Sequence, residues 1–248
     1  MTRHLDWQGS YNIRDLGGLP SRDGQPTAWG KLVRGDAPNR LTENGWDALW
    51  NHGIRTIIDL RHEPDHRPEA AERPPGLTTV RLPLDNPADT DFWRRWAGGI
   101  NCTPLYYRAF LDRFPEHVAR VIATVADAPA GGVLIHCAGG RDRTGLIVLL
   151  LLALAEVPSD VIAADYDLSG ERLEPAWRRL GIGDQTGQIA AFIARHGTTA
   201  RQAVIDTVDS LDALSYLRDA GLTDAQLGSV RARLLSAPVA SSALSACG

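Results

Sequence analysis

The stretch Gly132-Val-Leu-Ile-His136-Cys137-Ala-Gly-Gly-Arg-Asp-Arg143-Thr-Gly145-Leu-Ile-Val-Leu-Leu-Leu-Leu152 decides the fold. Gly132 to Ile135 reads as a short strand buried in a parallel sheet, and the apolar run from Leu146 to Val157, ended by Pro158, reads as a core helix. That run is too short to span a bilayer, which takes about 20 helical residues. Between strand and helix lie ten polar or glycine-rich residues, and a strand, a glycine loop and a helix in that order make an anion cradle. Successive N–H groups and the helix N-terminus converge on one tetrahedral anion, Gly139, Gly140 and Gly145 permit the close approach, and Arg143 closes the ring with a bidentate fork. The same positive environment favours the thiolate of Cys137 at the strand's end.

Outward from this centre the periodicities alternate. Upstream, Lys31 to Arg34 is a predicted strand, and Thr42 caps a helix whose face carries Trp46, Leu49 and Trp50 until Gly53. Arg55 to Leu60 is a second buried strand, Pro64 to Pro75 a loop, and Thr79 to Leu84 a further strand. Residues 91–127 carry helical periodicity broken near Gly98-Gly99 and Pro115. Beyond Pro158 the chain reads as helical, with breaks at Gly170, Gly181–Gly183, Gly197 and Gly221 and a cap at Thr223. The pattern predicts one α/β domain over 1–235, with a core to about residue 170, a helical part 171–235, and a small-residue tail 236–248.

Composition narrows the function. A net charge of −4 supplies no global field for nucleic acid or anionic lipid, so any anion is held by a local site. Three cysteines, Cys102, Cys137 and Cys247, without CxxC pairs fit neither a disulfide framework nor a zinc site. With no apolar stretch following the N-terminal charges, the expectation is a reduced, cytoplasmic protein without stable membrane insertion, its oligomeric state open.

His136, Cys137, Arg143, Thr144 and Gly145 satisfy HC-x5-R-[ST]-G, and in these residues the chain resembles the cysteine-dependent protein tyrosine phosphatases. More narrowly, it is similar to bacterial tyrosine and lipid phosphatases with HC-x-A-G-K-D-R-T-G loops. That likeness extends to Asn12–Gly18, Gly53–Arg61 and Leu217–Leu222, with two departures: Gly139 stands for alanine and Arg141 for lysine. Arginine keeps the charge but not the geometry of lysine, which in relatives is linked to phosphoinositide handling.

The resemblance implies a protein tyrosine phosphatase-like α/β fold with a mostly parallel sheet and a helical C-terminal portion. It implies phosphomonoester hydrolysis through a cysteinyl-phosphate on Cys137, without metal or other cofactor. Arg143 would hold the equatorial oxygens, Thr144 would assist the thiolate's departure, and Ala138, Gly139, Gly140, Arg141 and Asp142 would complete the phosphate-binding loop. His136 would order the loop, with Arg61 in support as a salt bridge or a substrate contact. For the general acid, Asp142 ranks ahead of Asp85, although Arg141 and Arg143 should hold Asp142 ionised unless a bound phosphate offsets them.

The implied substrates are a phosphorylated protein, by tyrosine or dual specificity, or a phospholipid or small phosphate ester. A phosphoinositide phosphatase is the first alternative, and a phosphate-binding module without turnover is the alternative of another class. A rhodanese-type sulfurtransferase is disfavoured, because five residues separate Cys137 from Arg143 where that loop is usually one shorter.

Other residues carry weaker signals. His62 and His66 sit among prolines that break a metal-binding helix and read as a solvated loop. Arg14 and Asp15 are expected to stabilise a turn as a pair or to line the pocket, and Trp93 and Trp96 to dock on the core or to form a lid. Cys102 and Cys247 are read as ordinary thiols, with a protective disulfide to Cys137 as the sharper reading.

Overall fold

The computed structural model describes residues 2–183 and 185–235. The proposed tail 236–248, and with it Cys247, lies outside the described residues. Strands β1 (Arg14–Asp15), β2 (Leu32–Gly35), β3 (Ile54–Asp59), β4 (Thr78–Arg81) and β5 (Gly132–His136) form one sheet in the order β1-β2-β5-β3-β4. Only the β1–β2 pair is antiparallel, so the sheet is mostly parallel.

Side-chain alternation along the central strands divides the core. Leu32, Val133, Ile135 and Ile58 point into the larger apolar cluster, whereas Val33, Leu134, Ile54 and Ile57 point into a smaller one with Trp7, Leu41, Trp46 and Leu49. Helix α1 (Glu43–Asn51) closes the smaller cluster; Thr42 caps it by accepting from the Gly45 amide, and its Trp46 and Leu49 are buried. Trp50 stays half-buried, with the Arg55 guanidinium stacked 3.6 Å from its ring centre.

On the other face lies α5 (Asp142–Leu154), buried without interruption from Thr144 to Leu152, which explains its lack of a polar face. It is covered by α4 (Pro115–Asp127), α6 (Ser159–Arg179), α8 (Ala200–Asp209), α9 (Ala213–Asp219) and α10 (Asp224–Leu234). Helices α2 (Thr90–Trp96), α3 (Tyr107–Arg113) and α7 (Gln185–Ala194) complete the α-helices of the described residues. Phe92 of α2 is buried against Phe110 and Phe114 and docks the helix on the core, whereas Trp93 and Trp96, the residues expected to dock, pack against that core only partly buried.

Two sequence expectations are corrected. The helical pattern does not break at Gly170: α6 runs through it and through Pro175. A Cβ at Gly170 would meet the Thr186 side chain at 3.3 Å, so the glycine serves close packing against α7 instead of ending a helix. The core helix begins at Asp142, four residues before its apolar run, so the C-terminal part of the cradle is already helical.

Candidate active site

Parallel register brings three strands to one edge. Gly35 of β2 and Asp59 of β3 both stand opposite His136, the last residue of β5. Residues 137–141 leave the sheet there, the edge at which open α/β sheets place their ligands. His136 is buried; its Nδ1–H donates to the Cys137 carbonyl at 3.0 Å, and Nε2 lies 3.8 Å from Asp59. Burial pushes the imidazole down to about 4, so it is neutral at pH 7. Asp59 is gripped by Arg61 through Nε and Nη2 at 2.9 and 2.7 Å, which makes Arg61 a buried ion-pair partner beneath the site. Gly140 takes φ +67°, and a Cβ there would stand 2.2 Å from the Gly35 carbonyl, so this close seat on β2 requires glycine.

A pocket of about 350 Å³ opens above the loop, lined by Cys137, Ala138, Gly139, Arg141, Asp142 and Arg143, with Asp85, Trp93, Cys102 and Trp177 around them. Arg143 Nη1 is 2.9 Å from Asp65 Oδ2 and 3.6 Å from Asp85 Oδ2. Asp142 accepts from Arg141 Nε at 3.1–3.2 Å and from the Tyr166 hydroxyl at 3.0 Å. Contrary to the expectation from its neighbours, burial outweighs Arg141 and Arg143 and pushes the Asp142 carboxyl up. Asp85, beside Arg143 and 3.9 Å from His62 Nε2, is pushed up for the same reason. Both candidate acids are therefore biased toward the protonated form. Thr144 Oγ1 is buried with no hydrogen-bond partner.

One of the two departures in the loop acquires a physical role. Arg141 spans from Asp142 to the Cys102 carbonyl, which its Nη2 reaches at 3.1 Å, a reach that uses the planar fork lysine lacks. At Gly139 a Cβ would meet the Leu173 side chain of α6 at 3.4 Å, an ordinary van der Waals contact, so nothing in the structure explains glycine in place of alanine there.

Several neighbours escaped the sequence reading. Trp177 and Leu173 wall the pocket from α6, and Tyr166 of the same helix holds Asp142. Their separation along the chain left no local signal. Arg14 and Asp15 do not pair and do not line the pocket: Arg14 bonds Asp165, while Asp15 accepts from the amides of Gly17 and Gly30 and contacts His52. Adjacent residues of a strand face opposite ways, which forbids the expected pair. His66 lies 3.4 Å from Asp59, and among the described residues no His, Cys, Asp and Glu cluster suited to a metal ion forms. No helix of the described residues is long and apolar enough to cross a membrane.

Comparison with known proteins gives a consistent picture. Residues 5–236 match the model of the tyrosine phosphatase family. A protein of Cupriavidus necator, provisionally named a tyrosine-protein phosphatase, is 31% identical over 170 residues, covering 65% of this chain and 61% of that protein. The tyrosine-protein phosphatase of Nostoc commune is 32% identical over 145 residues, covering 58% of this chain and 49% of the relative. The triple specificity protein phosphatase PtpB of Mycobacterium tuberculosis is 27% identical over 274 aligned positions, covering 92% of this chain and 97% of that protein. The matches to the first two thus span only about half to three-fifths of those relatives' own length.

Proposed function

The chain belongs to the tyrosine phosphatase family, and from that premise we propose that it hydrolyses phosphomonoesters, phosphotyrosine foremost, through a cysteinyl-phosphate on Cys137. One observation carries the reading: Cys137, Arg143 and two carboxyls raised by burial, Asp85 and Asp142, surround a single pocket. The aromatic walls Trp93 and Trp177 favour an aryl ester above the loop.

In the first step Cys137 Sγ attacks phosphorus, the bond from phosphorus to the ester oxygen breaks, and a carboxylic acid donates its proton to that oxygen. Arg143 turns from Asp65 to the equatorial oxygens, where charge is held in the transition state. In the second step water attacks the phosphoenzyme, the same carboxylate takes the water's proton, and the thiolate leaves with the Thr144 hydroxyl donating to it.

The geometry favours Asp85 over Asp142 as the acid. Asp142 already accepts bonds from Arg141 and Tyr166, whereas Asp85 faces Arg143 Nη1 and His62 only at 3.6 and 3.9 Å. Its proton is thus the freer to move.

Likeness to a relative named for triple specificity favours a second reading, in which alkyl phosphates, including phosphoinositide headgroups, are also turned over. A reduced, cytoplasmic setting suits a mechanism that needs a free thiol. The test is phosphate release, with chelator present, from p-nitrophenyl phosphate, phosphotyrosyl and phosphoseryl peptides and inositol phosphates. Preference for the aryl esters supports the main reading, comparable turnover of all supports the second, and phosphate binding without release on any substrate leaves a binding module.

A further inference from the structure

Every carbonyl from Cys137 to Arg141 accepts a hydrogen bond. Cys137 O receives His136 Nδ1–H at 3.0 Å, and Ala138 O receives the Ala37 amide at 3.0 Å. Gly139 O receives Asn12 Nδ2 at 2.8 Å. Gly140 O receives Arg34 Nη2 at 2.8 Å, and the same nitrogen reaches Arg141 O at 3.3 Å. Arg141 O also accepts the Gly145 amide as the first turn of α5 closes.

A trans peptide is planar, with its C=O and N–H pointing oppositely, so fixing the carbonyl of one residue fixes the amide of the next. Ties on carbonyls 137–141 therefore set the direction of amides 138–142, the donors of the anion cradle. The Arg34 and Asn12 side chains are buried, whereas the pocket is on the exposed side of the loop, so the pull on the carbonyls is from behind.

Arg34 itself is locked. Its Nη1 lies 2.7 Å from Asp165 Oδ2, both side chains are almost fully buried, and Asp165 also holds Arg14 and Arg3. Asn12 is likewise fixed, its Oδ1 accepting from Arg14 Nη1 at 2.6 Å. Burial of the Arg14 and Arg34 guanidiniums around one carboxylate, with the partly exposed Arg3 beside them, is costly unless the geometry is needed, and here that geometry ends on two loop carbonyls. We propose that Arg34, clamped by Asp165, and Asn12 are positioning residues that aim the amides of residues 138–142 at the substrate's phosphoryl group. Lysine at position 34 would keep the charge but lose the fork that joins Asp165 to Gly140 O.

The proposal rests on the phosphatase reading, and its test separates the two. Inhibition by inorganic phosphate and steady-state kinetics on p-nitrophenyl phosphate would be measured for wild type, Arg34→Lys, Asn12→Ala and Arg3→Ala, each checked for folding by thermal melting. Arg3 shares Asp165 but touches no loop carbonyl, so its variant registers a purely structural effect. Arg34→Lys and Asn12→Ala are expected to lose on the order of 10- to 100-fold in phosphate affinity and kcat/KM while folded, because a small misplacement of oriented donors has that effect. Arg3→Ala should lower the melting temperature and leave both constants within about twofold of wild type.

A folded Arg34→Lys with unchanged phosphate inhibition, or an Arg3→Ala loss as large as that of Arg34→Lys, overturns the positioning role. If Arg34→Lys does not fold, Asn12→Ala decides in the same way. A wild type that neither binds nor releases phosphate overturns the phosphatase reading, and this proposal with it.

Discussion

Arg143 Nη1 lies 2.9 Å from Asp65 Oδ2, so the guanidinium that should hold the phosphoryl oxygens is occupied by a carboxylate before substrate arrives. Asp65 is 41% exposed, and pairs so placed are worth about 0.5–1 kcal/mol. Substrate must displace it. Asp65→Asn should therefore lower KM for an aryl phosphate by about 2- to 5-fold with kcat little changed. Steady-state kinetics at constant ionic strength checks this, and a raised KM would mean that Asp65 holds Arg143 in place and does not compete.

Asp85 and Asp142 are both pushed up by burial, and the acid must be protonated to act. As pH rises through the acid's raised pKa, kcat should fall. Asp85→Asn should abolish that alkaline decline and cost on the order of 100-fold on an alkyl phosphate, with a much smaller loss on p-nitrophenyl phosphate, whose leaving group needs little protonation. Asp142→Asn should show no such selectivity. The reverse pattern in pH–rate profiles would make Asp142 the acid.

His136 gives stability a pH dependence of definite sign. Unfolded, it binds a proton near 6.5; folded, burial holds it neutral down to about 4. Its contribution is complete above about pH 6.5 and is lost as pH falls toward 4, by up to about 3 kcal/mol. Urea unfolding at pH 7 and 4.5 should show that loss, and His136→Asn should remove that share of the difference. Equal slopes in the two proteins would contradict the buried neutral imidazole.

The loop was readable because its chemistry is local: Cys137, Arg143 and the glycines sit at fixed offsets between one strand and one helix. The sheet was readable in its β-branched runs, and α5 in its unbroken leucines. What surrounds the loop was not. Arg34 meets Gly140 across 106 residues and Asp165 across 131, and Tyr166 meets Asp142 across 24, contacts that only the register of β2 with β5 and the docking of α6 create. The Asp142 carboxyl was misjudged because charge is visible in sequence and burial is not. Gly170 was misread because a glycine chosen for helix–helix approach has the same letter as one that ends a helix.

The central claim is a phosphoryl group carried on Cys137. The direct measurement is rapid acid quench of wild type and Cys137→Ser during turnover of a phosphotyrosyl peptide with chelator present, followed by mass spectrometry of the fragment containing residue 137. A phosphate adduct on Cys137 that forms and decays with turnover in wild type, and no hydrolysis by Cys137→Ser, is the result expected. Phosphate release without an adduct, or hydrolysis that survives Cys137→Ser, would contradict the account.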